Sequence, residues 1–169
     1  MEEFHVRNKI KLILTGLVLS ICLCACGQKT DPQMEKFKKD VEAFCSSIST
    51  LDQSINQIDP NSENATTQLL ESLSEVNMRF KAFADLDFPT DYDALEHLAD
   101  EASEYMSTAV QYYNSAFSNN SYNEYNAEYA KENYSRAIKR IKIILALLKG
   151  ENVDDPSVVI SYESSEQAQ

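Results

Sequence analysis

From Met34 onward, apolar residues recur every three or four positions, a period near 3.5 that predicts helices with one buried face. The first stripe is Met34, Phe37, Val41, Phe44, Ile48, Leu51, Ile55 and Ile58, spaced alternately by three and four. That spacing predicts a bundle helix from Pro32 to Ile58. Asp31 is a suitable N-cap, and Pro32 fits the first helical position. Asp59-Pro60 repeats the signal and predicts the start of a second helix, with the stripe Leu69, Leu73, Val76, Phe80 and Phe83.

A third helix is predicted after Phe88-Pro89, with Thr90 and Asp93 placed as a capping box. Its stripe is Leu95, Leu98, Ala102, Tyr105 and Ala109, widened by Ala99, Met106, Val110, Tyr113 and Phe117. Ser118-Asn119-Asn120 interrupts the pattern, and Ser121 with Glu124 predicts a capping box for a fourth helix. Its stripe is Ala127, Ala130, Tyr134, Ala137, Ile141, Ile144 and Leu148, closed by Gly150. Lys139, Arg140, Lys142 and Lys149 toward its end suit the negative end of the helix dipole.

Helices of about 25–28 residues are about 40 Å long at 1.5 Å per residue. Connections of about two to six residues force sequential neighbours to run antiparallel. The predicted fold is all-α, an antiparallel up-down-up-down four-helix bundle over residues 32–150. Residues 151–169 contain five acids, no base and several Ser and Gln, the composition of a flexible, disordered acidic tail. Within it, Val158-Val159-Ile160 is apolar enough to dock locally.

Composition narrows the chemistry. The chain has three glycines, Gly16, Gly27 and Gly150, which argues against glycine-rich barrels and doubly wound sheets. No two glycines lie near each other beyond residue 27, so a glycine-cradled phosphate site is excluded there.

The first 28 residues have a different pattern. Arg7, Lys9 and Lys11 precede an uncharged stretch from Leu12 to Gln28, too short for the ~20 residues that span a bilayer. It ends in Leu23-Cys24-Ala25-Cys26. This segment resembles the lipobox signal peptide of bacterial lipoproteins. Cys22 follows Ile21 and Cys24 follows Leu23, whereas Cys26 alone follows a small residue, Ala25. The resemblance covers about the first 26 residues. It implies a signal peptide over 1–25, cleavage after Ala25, and a diacylglycerol on the Cys26 thiol. It also implies a lipidated terminus and short tether over 26–31, holding the bundle on the extracytoplasmic face of the cell membrane.

Removal of residues 1–25 takes three bases and two acids from a chain of charge −12, leaving −13. Such a domain outside the cytoplasm is not expected to bind nucleic acid. Cys45 is then the one unmodified thiol, expected as a small core residue. His97 is the one histidine left, and no Ser, Thr or Cys nucleophile has a visible histidine partner. The expectation is a non-catalytic binding or scaffold module of the cell envelope, without a catalytic residue, metal or cofactor.

Two features carry alternatives. Asp93, His97 and Glu101, with Glu104 nearby, follow helical spacing and suit an O, N, O face for a divalent cation, or a carboxylate-based enzyme. Between Lys81 and Lys131 there is no lysine or arginine but many acids, after which the fourth helix turns basic, as if neighbouring helices neutralise each other.

Tyrosines concentrate between Tyr105 and Tyr134. Tyr122, Tyr125 and Tyr129, with Asn119 and Asn120, gather at the end far from the tether. They form a candidate patch for a cell-wall or envelope-protein partner, because tyrosine combines a flat apolar face with a polar tip. The competing reading is a tyrosine edge that widens the core.

Overall fold

The computed structural model describes residues 31–118 and 122–153. It contains four long helices in an antiparallel bundle, as the periodicity predicts: α1 Pro32–Asn56, α2 Ala65–Ala84, α3 Asp93–Ala116 and α4 Glu124–Leu148. Among the described residues there is no strand, and no helix is long and apolar enough to cross a membrane.

The α1 boundary works as expected. Asp31 accepts a hydrogen bond from the Gln33 backbone N–H at 3.1 Å, satisfying one of the donors that a helix start leaves open. At the end of α4 the predicted stop is equally explicit. Gly150 N–H reaches Leu147 O at 2.9 Å, and Glu151 N–H reaches Ala146 O at 3.0 Å. Gly150 has φ +74°, the left-handed conformation this paired closure requires.

Three helix starts differ from expectation. Helix α2 begins at Ala65, not at Pro60. The Asp59 carboxylate accepts from Asn61 N–H at 2.9 Å, and Asp59 O accepts from Ser62 N–H at 3.0 Å. These local bonds compete with helix formation, and no apolar residue lies between Ile58 and Ala65 to be held against the core. Thr90 and Asp93 make no capping box. Thr90–Tyr92 is a 3₁₀ turn closed by Tyr92 N–H to Pro89 O at 2.7 Å, and no side chain caps α3. Helix α4 begins at Glu124 and is capped by Asn123, whose side chain accepts from Asn126 N–H at 3.0 Å; the predicted Ser121–Glu124 box involves Ser121, outside the described residues. The connections, 57–64, 85–92 and 117–123, are therefore longer than expected.

The predicted stripes form one continuous core. Phe37, Val41, Phe44 and Ile48 of α1 are buried with Leu69, Leu73, Val76, Phe80 and Phe83 of α2. Phe44 joins these two helices: its ring lies 5.4 Å from Phe80 and 4.3 Å from Phe83. Helices α3 and α4 form the most intimate pair. Both helices carry small side chains at buried positions: Ala99, Ala102, Ala109 and Ala116 on α3, and Ala127, Ala130 and Ala137 on α4. Methyl-sized side chains let two backbones approach closely.

Asp52 of α1 lies near enough to Tyr134 of α4 to help raise its hydroxyl pKa, whereas Lys149, just past the end of α4, lies near enough to Cys45 to pull its thiol pKa down against the larger effect of burial. Helices α1 and α4 thus run antiparallel to each other. Cys45 is buried as expected, and desolvation pushes its thiol up to about 12.

The ring contacts of Phe88 with Phe37, at 4.8 Å, and with Phe83, at 5.9 Å, bring the α2–α3 connection against the start of α1. That pole also carries the end of α4. The opposite pole holds the connections 57–64 and 117–123.

Candidate functional site

Antiparallel pairing of α3 with α4 builds the tyrosine-rich end. The register is fixed by contacts that step forward along α3 and backward along α4. Glu101 meets Arg140, Tyr105 lies under Arg136 at 5.7 Å, and Tyr112 meets Tyr129 at 4.5 Å. At the distal end, Asn123 N–H donates to Ala116 O at 2.8 Å.

Within this frame the tyrosines divide by their phase around the helices. Tyr113 is buried, and desolvation raises its hydroxyl pKa strongly, with nearby Tyr134, Tyr122 and Glu128 adding to the effect. Tyr105 and Tyr134 pack half-buried against the core, and burial pushes the Tyr134 hydroxyl up to about 12. These three occupy the core-facing positions assigned from the pattern.

The candidate patch is not uniform. Tyr122 is half-buried, with its ring 5.4 Å from that of Phe117. Tyr129 is 37% exposed and leans on Tyr112, and Tyr125 is 76% exposed. The outward aromatic surface is therefore Tyr125 and Tyr129, backed by Tyr112, with Tyr122 turned toward Phe117. Asn119 and Asn120 lie outside the described residues, as do Ser121, residues 1–30 with Cys26, and residues 154–169 with Val158-Val159-Ile160.

Beside these rings the surface of α4 bounds a shallow concavity of about 610 Å³, lined by Tyr125, Glu128, Tyr129, Lys131, Glu132 and Ser135. Aromatic faces next to carboxylate, ammonium and hydroxyl groups supply apolar contact and hydrogen bonds together, the combination that polar recognition surfaces use. The sequence reading missed Tyr112 as a member of this site. Tyr112 lies just under one helical turn from Ala109, and only its pairing with Tyr129 reveals its role.

The α3 group that suggested a cation site is committed elsewhere. Glu101 accepts a hydrogen bond from Arg140, whose side chain is 11% exposed, and its other oxygen lies 3.7 Å from His97 Nε2. His97 is largely exposed, and Asp93 and Glu104 are exposed. Among the described residues no three His, Cys, Asp or Glu side chains are grouped to hold a metal ion. The Glu101–Arg140 pair is one realised case of the expected neutralisation between acidic α3 and basic α4. Arg140 thus points into the α3–α4 interface and not toward the helix end, where it was expected to serve the dipole.

No family model matches this chain, and neither do the curated proteins or the solved structures compared with it.

Proposed function

We propose that this chain is a lipid-anchored, extracytoplasmic lipoprotein whose helical bundle is a non-catalytic binding module, making contact through the tyrosine surface of α4. The observation that carries the contact surface is Tyr125, a large aromatic ring 76% exposed on a rigid helix beside Tyr129. Exposing such a ring forgoes the ~1.5–3 kcal/mol that burial of a large side chain provides. Neighbouring exposed aromatics at the end of a rigid scaffold suit a recognition role. The partner is expected to be a cell-wall component or an envelope protein. The anchor rests on the Leu23-Cys24-Ala25-Cys26 motif. It would leave about six residues between lipid and α1, keeping the pole of Asp85, Asp87 and Asp91 nearest the membrane and the tyrosine end outermost.

Two measurements test the two halves separately. Detergent phase partitioning should place the wild-type chain in the detergent phase and shift Cys26→Ala to misprocessed or released protein. Unchanged retention of Cys26→Ala removes the lipoprotein reading. For the contact surface, full-length Tyr125→Ala with Tyr129→Ala should weaken binding to isolated envelope by ~2 kcal/mol or more, as at a central recognition tyrosine. Tyr125→Ala alone should leave the melting temperature unmoved, because its ring is already in solvent. Wild-type envelope binding by the double variant would sink the contact reading.

A further inference from the structure

The outward face of α4 carries a second pattern, unrelated to the core stripe. Tyr125, Glu128, Glu132, Ser135, Lys139, Lys142, Ala146 and Lys149 follow one another at alternating steps of three and four. They form a straight seam along the solvent side of the helix. All are exposed except the half-exposed Ala146. The seam is acidic toward the start of α4, at Glu128 and Glu132, and basic toward its end, at Lys139 and Lys142. Ser135, a small residue that also lines the concavity, stands between the two halves.

A stripe whose charge reverses about its own midpoint is complementary to itself when turned end for end. We propose that this face docks a second copy of the chain, α4 against α4 and antiparallel, with the two-fold axis at Ser135. In that register Ser135 meets its own counterpart and Glu128 faces Lys142 of the second copy. Glu132 comes within one residue of Lys139, about 1.5 Å along the axis, and Tyr125 within one residue of the small Ala146. Each contact occurs twice, as an isologous interface requires. A parallel alignment of the same faces sets Glu128 against Glu128 and Lys142 against Lys142, which like-charge repulsion disfavours. Arg136 already pairs with Glu132 along the helix and flanks the seam on the α3 side.

From Tyr125 to Ala146 the seam is about 32 Å long at 1.5 Å per residue. One helix face of that length lies toward the small end of specific interfaces, so micromolar association is expected. The inference goes beyond the tip reading and does not depend on it, but it shares Tyr125, Glu128, Glu132 and Ser135 with that surface, so a second copy and an envelope partner would compete for this face; Tyr129, which leans on Tyr112 of α3, remains outside the seam.

Full-length chains test the register directly. Under mild oxidation in cells, Ser135→Cys should give a disulfide-linked dimer well above wild type, while Glu75→Cys on the exposed side of α2 should not. Sedimentation in non-ionic detergent then tests the charges. Glu128→Lys with Glu132→Lys, and separately Lys139→Glu with Lys142→Glu, should each self-associate at least about tenfold more weakly than wild type. An equimolar mixture of the two variants should recover the dimer, as should the quadruple swap, which restores the original net charge. Circular dichroism on each variant verifies that helix content is retained. Three results would overturn the proposal: a monomeric wild type at 100 µM or so, Ser135→Cys cross-linking no better than Glu75→Cys, or charge variants that dimerise alone as well as they do when mixed.

Discussion

The Glu101–Arg140 pair makes an asymmetric prediction. Arg140 is nearly enclosed, with its side chain 11% exposed, whereas Glu101 keeps 31% of its side chain in solvent. Removing either partner abolishes the same hydrogen bond but leaves different remnants. Glu101→Ala takes from a guanidinium in the α3–α4 interface the carboxylate it donates to, with Tyr105, 6.0 Å away, still beside it. Breaking a buried pair this way costs about 3–5 kcal/mol, and the cation–π contact returns about 1. The expected loss is therefore about 3 kcal/mol. Arg140→Met leaves a carboxylate that can turn to water, and the Met side chain refills much of the space held by the arginine stem, so its cost should stay near 1 kcal/mol. For a domain of this size the larger loss lowers the melting temperature by roughly 10 °C. The double variant Glu101→Leu with Arg140→Met should recover most of it, because an apolar pair removes the desolvation penalty altogether. Urea titrations of wild type, both single variants and the double give the full cycle. If Arg140→Met is as costly as Glu101→Ala, or the double variant is the least stable of all, the pair does not have the burial asymmetry argued here.

Three further perturbations follow from the same structure. Phe44→Ala removes a ring packed on Phe80 and Phe83, and Ile144→Ala truncates a fully buried side chain; thermal melts should show losses of ~3–5 and ~2–5 kcal/mol. Gly150→Ala should cost about 1 kcal/mol through its backbone alone, since φ is +74° and an added Cβ meets nothing within 4 Å; a chemical melt equal to wild type would contradict this. Alkaline pH should destabilise the bundle. Cys45 and Tyr134 have native pKa values raised from 9.0 and 10.0 to about 12, so the unfolded chain releases these protons first. Their contribution is intact below pH 9 and fades as pH rises toward 12, and Cys45→Ala should flatten the stability–pH curve across that window.

Much of the architecture was legible in the residues alone. A stripe such as Phe37, Val41, Phe44, Ile48 can bury its side chains only as a helix, and four such stripes leave few arrangements besides a bundle. Asp31 and Gly150 were readable for a related reason: their bonds, to Gln33 N–H and through Leu147 and Ala146 carbonyls, lie within a few residues. Asp59-Pro60 shows where local reading stops. It matches Asp31-Pro32 in kind, yet no apolar residue follows it before Ala65, so the turn wins and α2 starts only there.

Tertiary packing decided the rest, because phase about a helix axis acquires meaning only against a neighbour. Spacing grouped Tyr122, Tyr125 and Tyr129 at the start of α4, but packing drew Tyr122 to Phe117 within the connection and Tyr129 to Tyr112 of α3, and left Tyr125 in water. The same approach, made close by the alanines, turned Arg140 inward to Glu101 and buried Asn133, whose amide donates to Tyr129 O at 2.9 Å. Neither residue belongs to an apolar stripe. Their positions depend on partners distant in sequence or on the depth at which a whole helix is seated, and no local pattern of residues encodes either quantity.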